Sequence, residues 1–243
     1  MESVTLYPIR GLPLVNPSVD LGETLLLQLN QSVKIVEGDV LVIAQKIVSK
    51  AEGAIIDLST VIPSERAQKI AAQTGRDPRL CQVYLDEAQE VIAIKGRMVI
   101  TRHRLGFVGS SSGVDRSNVA PHEAEKVVLL PKDPDLSARR IRNRICEASG
   151  KRIAVIINDS CGRDYRGGSV GMAIGIAGIR AIEVREGKDL FSNESHIQIA
   201  LVDELAAAAS VLMGQADEGI PAVLIRGVSF VPVEETSIAD LLH

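Results

Sequence analysis

Residues 153–157 are five consecutive apolar residues, Ile153, Ala154, Val155, Ile156 and Ile157, four of them β-branched. A run this short and this continuous reads as a strand buried on both faces. Directly beyond it the chain turns polar. Asp159, Ser160, Arg163 and Arg166 follow, with Gly162, Gly167 and Gly168 between them. An acid, a hydroxyl and two guanidinium groups are thereby set at the rim of a rigid sheet, where sites are commonly built. A solvated loop in which Asp159 makes a turn is the plainer reading of the same residues, and the rest of the chain must decide between the two.

With 243 residues the chain can form one large domain or two smaller ones. Its 46% hydrophobic and 24% charged residues make it globular rather than disordered. A net charge of −4, without a basic tail and with only 2% aromatics, argues against non-specific nucleic-acid binding. Cys81, Cys146 and Cys161 are odd in number and lack zinc or redox spacing, so a reducing cytoplasm is expected. No signal peptide and no run of membrane-spanning length is visible.

Taken in order, residues 4–7 read as a strand, followed by the turn-forming Gly11, Leu12, Pro13 and Leu14. Leu21, Leu25, Leu26 and Leu29 share one face of a helix over 20–29. Residues 40–50 read as a second strand, apolar at first and polar by Gln45, Lys46, Ser49 and Lys50. Ser64 caps a helix closed by Gly75, and Asp77 with Pro78 starts another. Residues 91–101 form strand broken by a hairpin turn at Lys95, Gly96 and Arg97. The small, hydrogen-bonding stretch 106–118 reads as a site loop. Asp135 caps a helix over 136–148 that ends at Gly150. Gly171, Gly175 and Gly178 suggest close backbone approach rather than a helix interior. Residues 198–212 make the clearest amphipathic helix, leading through a turn at 213–221 to a strand over 222–226. This irregular alternation, with several hairpin-like pairs, predicts an α+β fold rather than a βαβ series.

Asp115 and Asp159 both follow strands in small-residue loops. With the hydroxyl or carbonyl of Ser160 they make an all-oxygen set that suits Mg²⁺ or Mn²⁺ rather than zinc. Two such distant aspartates are more often unrelated. His103, His122, His196 and His243 show no metalloprotease spacing. Arg163 and Arg166 can fork onto carboxylate or phosphate, or else are surface charges. Lys50 is a point charge for a phosphate or an ordinary strand-end lysine. Gly171, Gly175 and Gly178 do not fit G-x-G-x-x-G, and residues 109–118 lack a P-loop lysine. A dinucleotide dehydrogenase and a P-loop NTPase are therefore disfavoured.

The ordered set Gly11-Leu12-Pro13-Leu14, Gly38-Asp39, Val48-Ser49-Lys50, Gly113-Val114-Asp115 with Asn118, Asn158-Asp159-Ser160, Gly171 to Gly178, and Met213-Gly214 with Gly219-Ile220-Pro221 resembles the coenzyme F420-0:L-glutamate ligase family over nearly the whole chain. The resemblance implies two interleaved α+β domains with mixed sheets. Residues 1–92 plus 193–243 would bind nucleotide, and 93–192 would be the inserted domain that carries the metal-site residues. The implied activity is a GTP-dependent amide ligase that adds L-glutamate to a deazaflavin bearing a phospholactyl carboxylate, with Mg²⁺ or Mn²⁺ and often K⁺. A cytoplasmic homodimer, with no nucleic-acid or membrane partner, is the implied form. By motif position Asp115, Asp159 and Ser160 would hold metal. Gly11, Leu12, Pro13, Leu14, Gln45, Lys50, Asn118, Met213, Gly214, Gln215, Ala216, Asp217, Glu218, Gly219 and Ile220 would contact GTP. The sequence departs from the family pattern at Gln45, at Ser110-Ser111-Ser112, at Cys161 and in a short C-terminal segment, 231–243.

Amide formation at neutral pH requires an activated carboxylate, so the expected path runs through an acyl phosphate. Asp115 and Asp159 would serve it, with Arg163 or Arg166 orienting carboxylates or steadying an oxyanion. Three alternatives stay open: a ligase of the same fold for another acceptor or amino acid, a GTP-binding regulator without chemistry, and a purely structural oligomer.

Overall fold

The computed structural model describes residues 3–17, 19–119, 125–163 and 166–242. His122 and His243 lie outside the described residues. In chain order the elements begin with β1 (Thr5–Ile9), α1 (Leu21–Ser32), β2 (Val40–Ala44), α2 (Gln45–Ala51) and β3 (Ile55–Asp57). Next come α3 (Glu65–Thr74), α4 (Pro78–Glu87), β4 (Ala88–Lys95), β5 (Met98–His103), β6 (Val108–Ser110) and β7 (Lys126–Val128). The last are α5 (Pro134–Ser149), β8 (Ala154–Arg163), β9 (Arg166–Ala177), β10 (Glu183–Lys188), β11 (Glu194–Ile199), α6 (Leu201–Met213) and β12 (Ala222–Arg226). Helices and mixed sheets together make an α+β fold.

A five-stranded sheet in the order β1-β12-β2-β8-β9 forms the centre. Only β2 and β8 run parallel; the other pairs are antiparallel. Alternate residues of β2 and β8 enter opposite cores. Leu41, Ile43, Val155 and Ile157 pack with Leu25 and Leu29 of α1 and Ile141 and Ile145 of α5. Val40, Val42, Ala154 and Ile156 pack with Val202, Leu205 and Ala209 of α6. Both faces are thus dry, which is why 153–157 shows no polar alternation. Each valine, leucine or isoleucine among them removed from water stabilises the fold by roughly 1.5–3 kcal/mol. A third core, including Ile70, Leu80, Val83, Tyr84 and Val99, joins α3 and α4 to the smaller sheets. The division expected between 1–92 plus 193–243 and 93–192 runs through the central sheet, between β2 and β8.

Short-range signals set the helix ends. Asp20 accepts from the Glu23 amide at 2.9 Å, Ser64 from Ala67 at 3.3 Å and Asp77 from Arg79 at 2.8 Å. Gly75 closes α3 with φ +65°. Three expectations are corrected. Residues 40–50 are not one strand: β2 stops at Ala44 and α2 takes over, so Lys50 sits on a helix. The α5 cap is Asp133, which accepts from Leu136 at 2.9 Å, because Pro134 takes the first helical position. Asp135 instead turns inward and accepts from the amides of Ile176 and Ile238 and from the Ser237 hydroxyl. Third, strand geometry persists past Ile157 to Arg163, since β9 pairs with the polar residues too.

The glycines of 171–178 do mark close approach. A Cβ on Gly171 would meet Ser210 Oγ at 2.1 Å and the Ala206 carbonyl at 2.5 Å, so α6 presses directly on β9 there. A Cβ on Gly178, at φ +79°, would meet Arg142 Nε at 2.4 Å and the Ile153 carbonyl at 2.8 Å.

Candidate active site

The sheet register brings several segments to one end. Ile9, Ala222, Ile43 and Ile157 lie in one row across four strands. Beyond that row emerge the turn 11–14, the start of α2 at Gln45, and Asn158 with Asp159; Ile220 and Pro221 enter at the same end. This is also the carboxyl end of the parallel pair β2 and β8.

Successive side chains of β8 point to opposite faces. Asn158 turns toward α6 and donates to Ser210 Oγ at 2.9 Å. Asp159 turns the other way, into a cavity of about 150 Å³ whose lining includes Asp115, His103, Ser110, Ser112 and Cys161. The two aspartates expected to act together therefore share a cavity, although they stand far apart along the chain. Asp115 is carried there by its backbone pairing with Val128, N to O at 3.0 Å and back at 2.8 Å. Its Oδ1 accepts from the Ser117 amide at 2.7 Å, and its Oδ2 lies 2.8 Å from Lys46 Nζ.

The two carboxyls titrate apart. Burial, and next the Asp115 charge, push the Asp159 pKa up to about 6 against the pull of the Ser160 amide, Lys46 and the Gln45 side chain. Burial would raise Asp115 as well, but Lys46 and Ser117 together outweigh it and hold that carboxyl below the ordinary range. The Cys161 thiol, 3.9 Å from Asp159 Oδ2, is pushed up to about 12 by burial and by the Asp159 and Asp203 charges. It stays protonated and donates, which makes it an unreactive thiol.

Several expected nucleotide residues also meet. Lys50 donates to the Asn118 carbonyl, and the Asn118 side chain donates to the Ala216 carbonyl at 3.0 Å. Burial, then Lys46, lowers the Lys50 pKa. The Ala216 amide donates to Glu218 at 2.9 Å, and Ser160 Oγ donates to Gln215 at 2.8 Å. Gln45 is buried and accepts from Ser49 at 2.9 Å, and its side chain helps to lower the Asp159 pKa. The hydroxyl of Ser160 thus engages the 213–220 loop rather than the carboxylate pair. Arg163 and Arg166 face each other at the exposed tip of the β8–β9 hairpin, outside the cavity lining. Arg163 reaches the Gly167 carbonyl at 3.4 Å. Leu14 is almost wholly exposed beside the same end of the sheet.

Sequence reasoning missed two contributors, Lys46 and His103, and the strain inside the expected site loop 106–118. Lys46 is one helical turn before Lys50, a spacing that signals a shared face only once 45–51 is known to be helix. His103 is buried, accepts from the Leu105 amide at 3.0 Å through Nδ1 and sits 3.3 Å from Glu87 through Nε2. Nothing in its spacing announced that. Ser111, Ser112 and Gly113 adopt φ of 59°, 51° and 65° in succession, a left-handed turn that costs each serine on the order of 1 kcal/mol. Ser112 is kept there by hydrogen bonds to the Tyr84 carbonyl at 2.7 Å and to Thr101 Oγ1 at 3.0 Å. Ser112 and Gly113 line the cavity, and backbone strain of this kind clusters at functional sites.

Residues 10–227 match the family model described as F420-0:Gamma-glutamyl ligase. The chain belongs to that family. It is accordingly an enzyme of the ligase class. The coenzyme F420:L-glutamate ligase of Methanocaldococcus jannaschii is 47% identical over 209 residues, covering 85% of this chain and 82% of that protein. The protein of the same name from Methanothermobacter thermautotrophicus is 44% identical over 227 residues, covering 92% and 89%. That of Methanopyrus kandleri is 46% identical over 233 residues, covering 94% and 90%. Among the described residues of this ligase, no helix is long and apolar enough to cross a membrane.

Proposed function

We propose that this ligase joins L-glutamate to the carboxylate of coenzyme F420-0, with GTP as co-substrate, Mg²⁺ or Mn²⁺ held by Asp115 and Asp159, and K⁺ as an accompanying ion. The observation that carries the reading is the meeting of Asp115 and Asp159 in one cavity, at the sheet end where Lys50, Asn118 and the 213–220 loop gather. The donor set fits a hard cation. Two carboxylates that repel each other favour a positive charge between them; among the described residues no group of three or more His, Cys, Asp or Glu is placed to hold a metal ion by itself. The remaining ligands would be water, backbone or phosphate oxygens, as Mg²⁺ prefers. Bound there, the cation would offset charge on the phosphates and polarise the acceptor carboxylate.

The chain's own residues then have defined tasks. Asn118 and the 213–220 loop hold the nucleotide, and Lys50 brings a positive charge to its phosphates. An acceptor carboxylate oxygen attacks the γ-phosphorus and GDP leaves; the glutamate amine attacks the acyl carbon, phosphate leaves and the nitrogen gives up a proton. Arg163 and Arg166, on a solvent-facing hairpin tip, are suited to orient incoming carboxylates. The exposed Leu190 and Phe191 at the β10–β11 tip support a homodimer, and three free cysteines support the cytoplasm.

The test is incubation with F420-0, glutamate, GTP and Mn²⁺, read by mass spectrometry. The expected product is heavier by one glutamyl residue, with matching GDP and phosphate. GTP binding without any change in a panel of acceptors would make the chain a regulator instead. A variant sharpens the nucleotide assignment. Asn118 has φ +55°, so Asn118→Gly keeps the backbone without strain and removes the link to Ala216. By freeing the loop that holds the nucleotide it should raise the KM for GTP by about tenfold, with kcat nearly unchanged and the melting temperature lower by no more than about 4 °C. A KM within twofold of the parent would remove Asn118 from the nucleotide site.

A further inference from the structure

Asp115 and Asp159 carry like charge into one half-buried cavity, and such pairs are unstable without a counter-charge. The chain supplies one. Lys46 Nζ lies 2.8 Å from Asp115 Oδ2 and 2.7 Å from Ser117 Oγ. A divalent cation shared by the two carboxylates needs the lone pairs that this ammonium now occupies, and two positive charges at that spacing repel. The ammonium and the cation are therefore rivals for one position.

We infer that Lys46 is a positioning residue that acts as the resident counter-cation: it holds Asp115 in place before the divalent ion arrives, leaves Oδ2 when the ion enters, and turns toward the phosphates that come with it. The inference rests on the reading of Asp115 and Asp159 as cation ligands. Local structure permits the exchange. Lys46 and Lys50 project from α2 one turn apart, and Lys50 keeps its own bond to the Asn118 carbonyl. Asp115 stays fixed through its backbone pairing with Val128. Loop 115–118 thus keeps two anchors while Lys46 moves, and the Lys46 side chain, 22% exposed, has solvent on one side. It follows that the nucleotide-free protein holds back the cation, and that cation and polyphosphate bind best together.

The experiment is titration of the nucleotide-free full chain with Mn²⁺, free ion being followed by electron paramagnetic resonance. Lys46→Met keeps the length and removes the charge, Lys46→Gln is a second neutral variant should the first fail to fold, and Lys46→Arg keeps the charge. Thermal melting confirms each is folded. The neutral variants should bind Mn²⁺ about tenfold more tightly or better, and Lys46→Arg should stay within about threefold of the parent. A lysine that merely ties down the loop would lower the melting temperature in all variants and bring no gain in affinity. Unchanged or weaker affinity in a folded neutral variant, with the parent binding normally, overturns the inference and leaves the cation site standing. Absence of Mn²⁺ binding in the parent and in every folded neutral variant overturns both.

Discussion

Asp159→Asn is expected to lower kcat by about 10³-fold or more while making the cation-free protein more stable. The two effects have one origin. Burial and the neighbouring Asp115 hold the Asp159 carboxyl near a pKa of about 6, well above its value in the unfolded chain. Below about pH 4 both states are protonated and the group contributes nothing. Between about 4 and 6 the unfolded chain ionises first, so the fold loses stability as pH rises; above about 6 the whole penalty applies. That penalty is on the order of 2 kcal/mol after allowance for solvent at a half-buried group. Asparagine has the same shape and no charge to bury, so the variant should melt higher at pH 7.5 and show no such decline with pH. It also lacks a cation ligand, hence the loss of turnover. Calorimetry from pH 4 to 8 with parallel assays checks both. A variant less stable than its parent at pH 7.5, or retaining most activity, would contradict this assignment.

Gly175→Ala should cost the fold about 3 kcal/mol, a fall in melting temperature of about 6–12 °C for a chain of this length. The added Cβ would sit 2.5 Å from both the carbonyl carbon and the Cβ of Pro134, and 2.6 Å from its oxygen. Those atoms belong to the first residue of α5. They cannot withdraw easily, because the next residue, Asp135, is tied to the amides of Ile176 and Ile238. Gly187, with nothing within 4 Å of its added Cβ, is the control, and Gly187→Ala should shift melting by no more than about 2 °C. Equal effects at the two positions would mean that α5 does not press on β9 as described.

What the sequence disclosed follows the range of the forces involved. The doubly buried strand at 153–157, the Ser64 to Gly75 bracket, the Asp77-Pro78 start and the strand at 222–226 are all written locally, in capping chemistry or apolar runs. Elements fixed by distant partners were harder to read. The seven-residue helix α2 has no side-chain cap, so its start at Gln45 blurred into the strand before it. Residues 158–163 look like loop because their extended form comes from pairing with β9. The hairpin β10–β11 carries a weak apolar pattern and gave no signal. Asp115 and Asp159 each looked like a site residue alone. Their shared cavity depends on how β7 and β8 are placed by separate sheets, and the bond from Lys46 to Asp115 on a helix the sequence did not reveal.

The central claim is that Asp115 and Asp159 together hold one hard cation. Diffraction from crystals grown with Mn²⁺ and GDP, with anomalous data collected near the manganese edge, tests it without reference to turnover. The predicted result is a peak within about 2–2.5 Å of a carboxylate oxygen from each aspartate, with Lys46 Nζ withdrawn from Asp115 Oδ2. Manganese bound elsewhere, or a lysine still seated on Asp115 with no peak between the carboxylates, would contradict it.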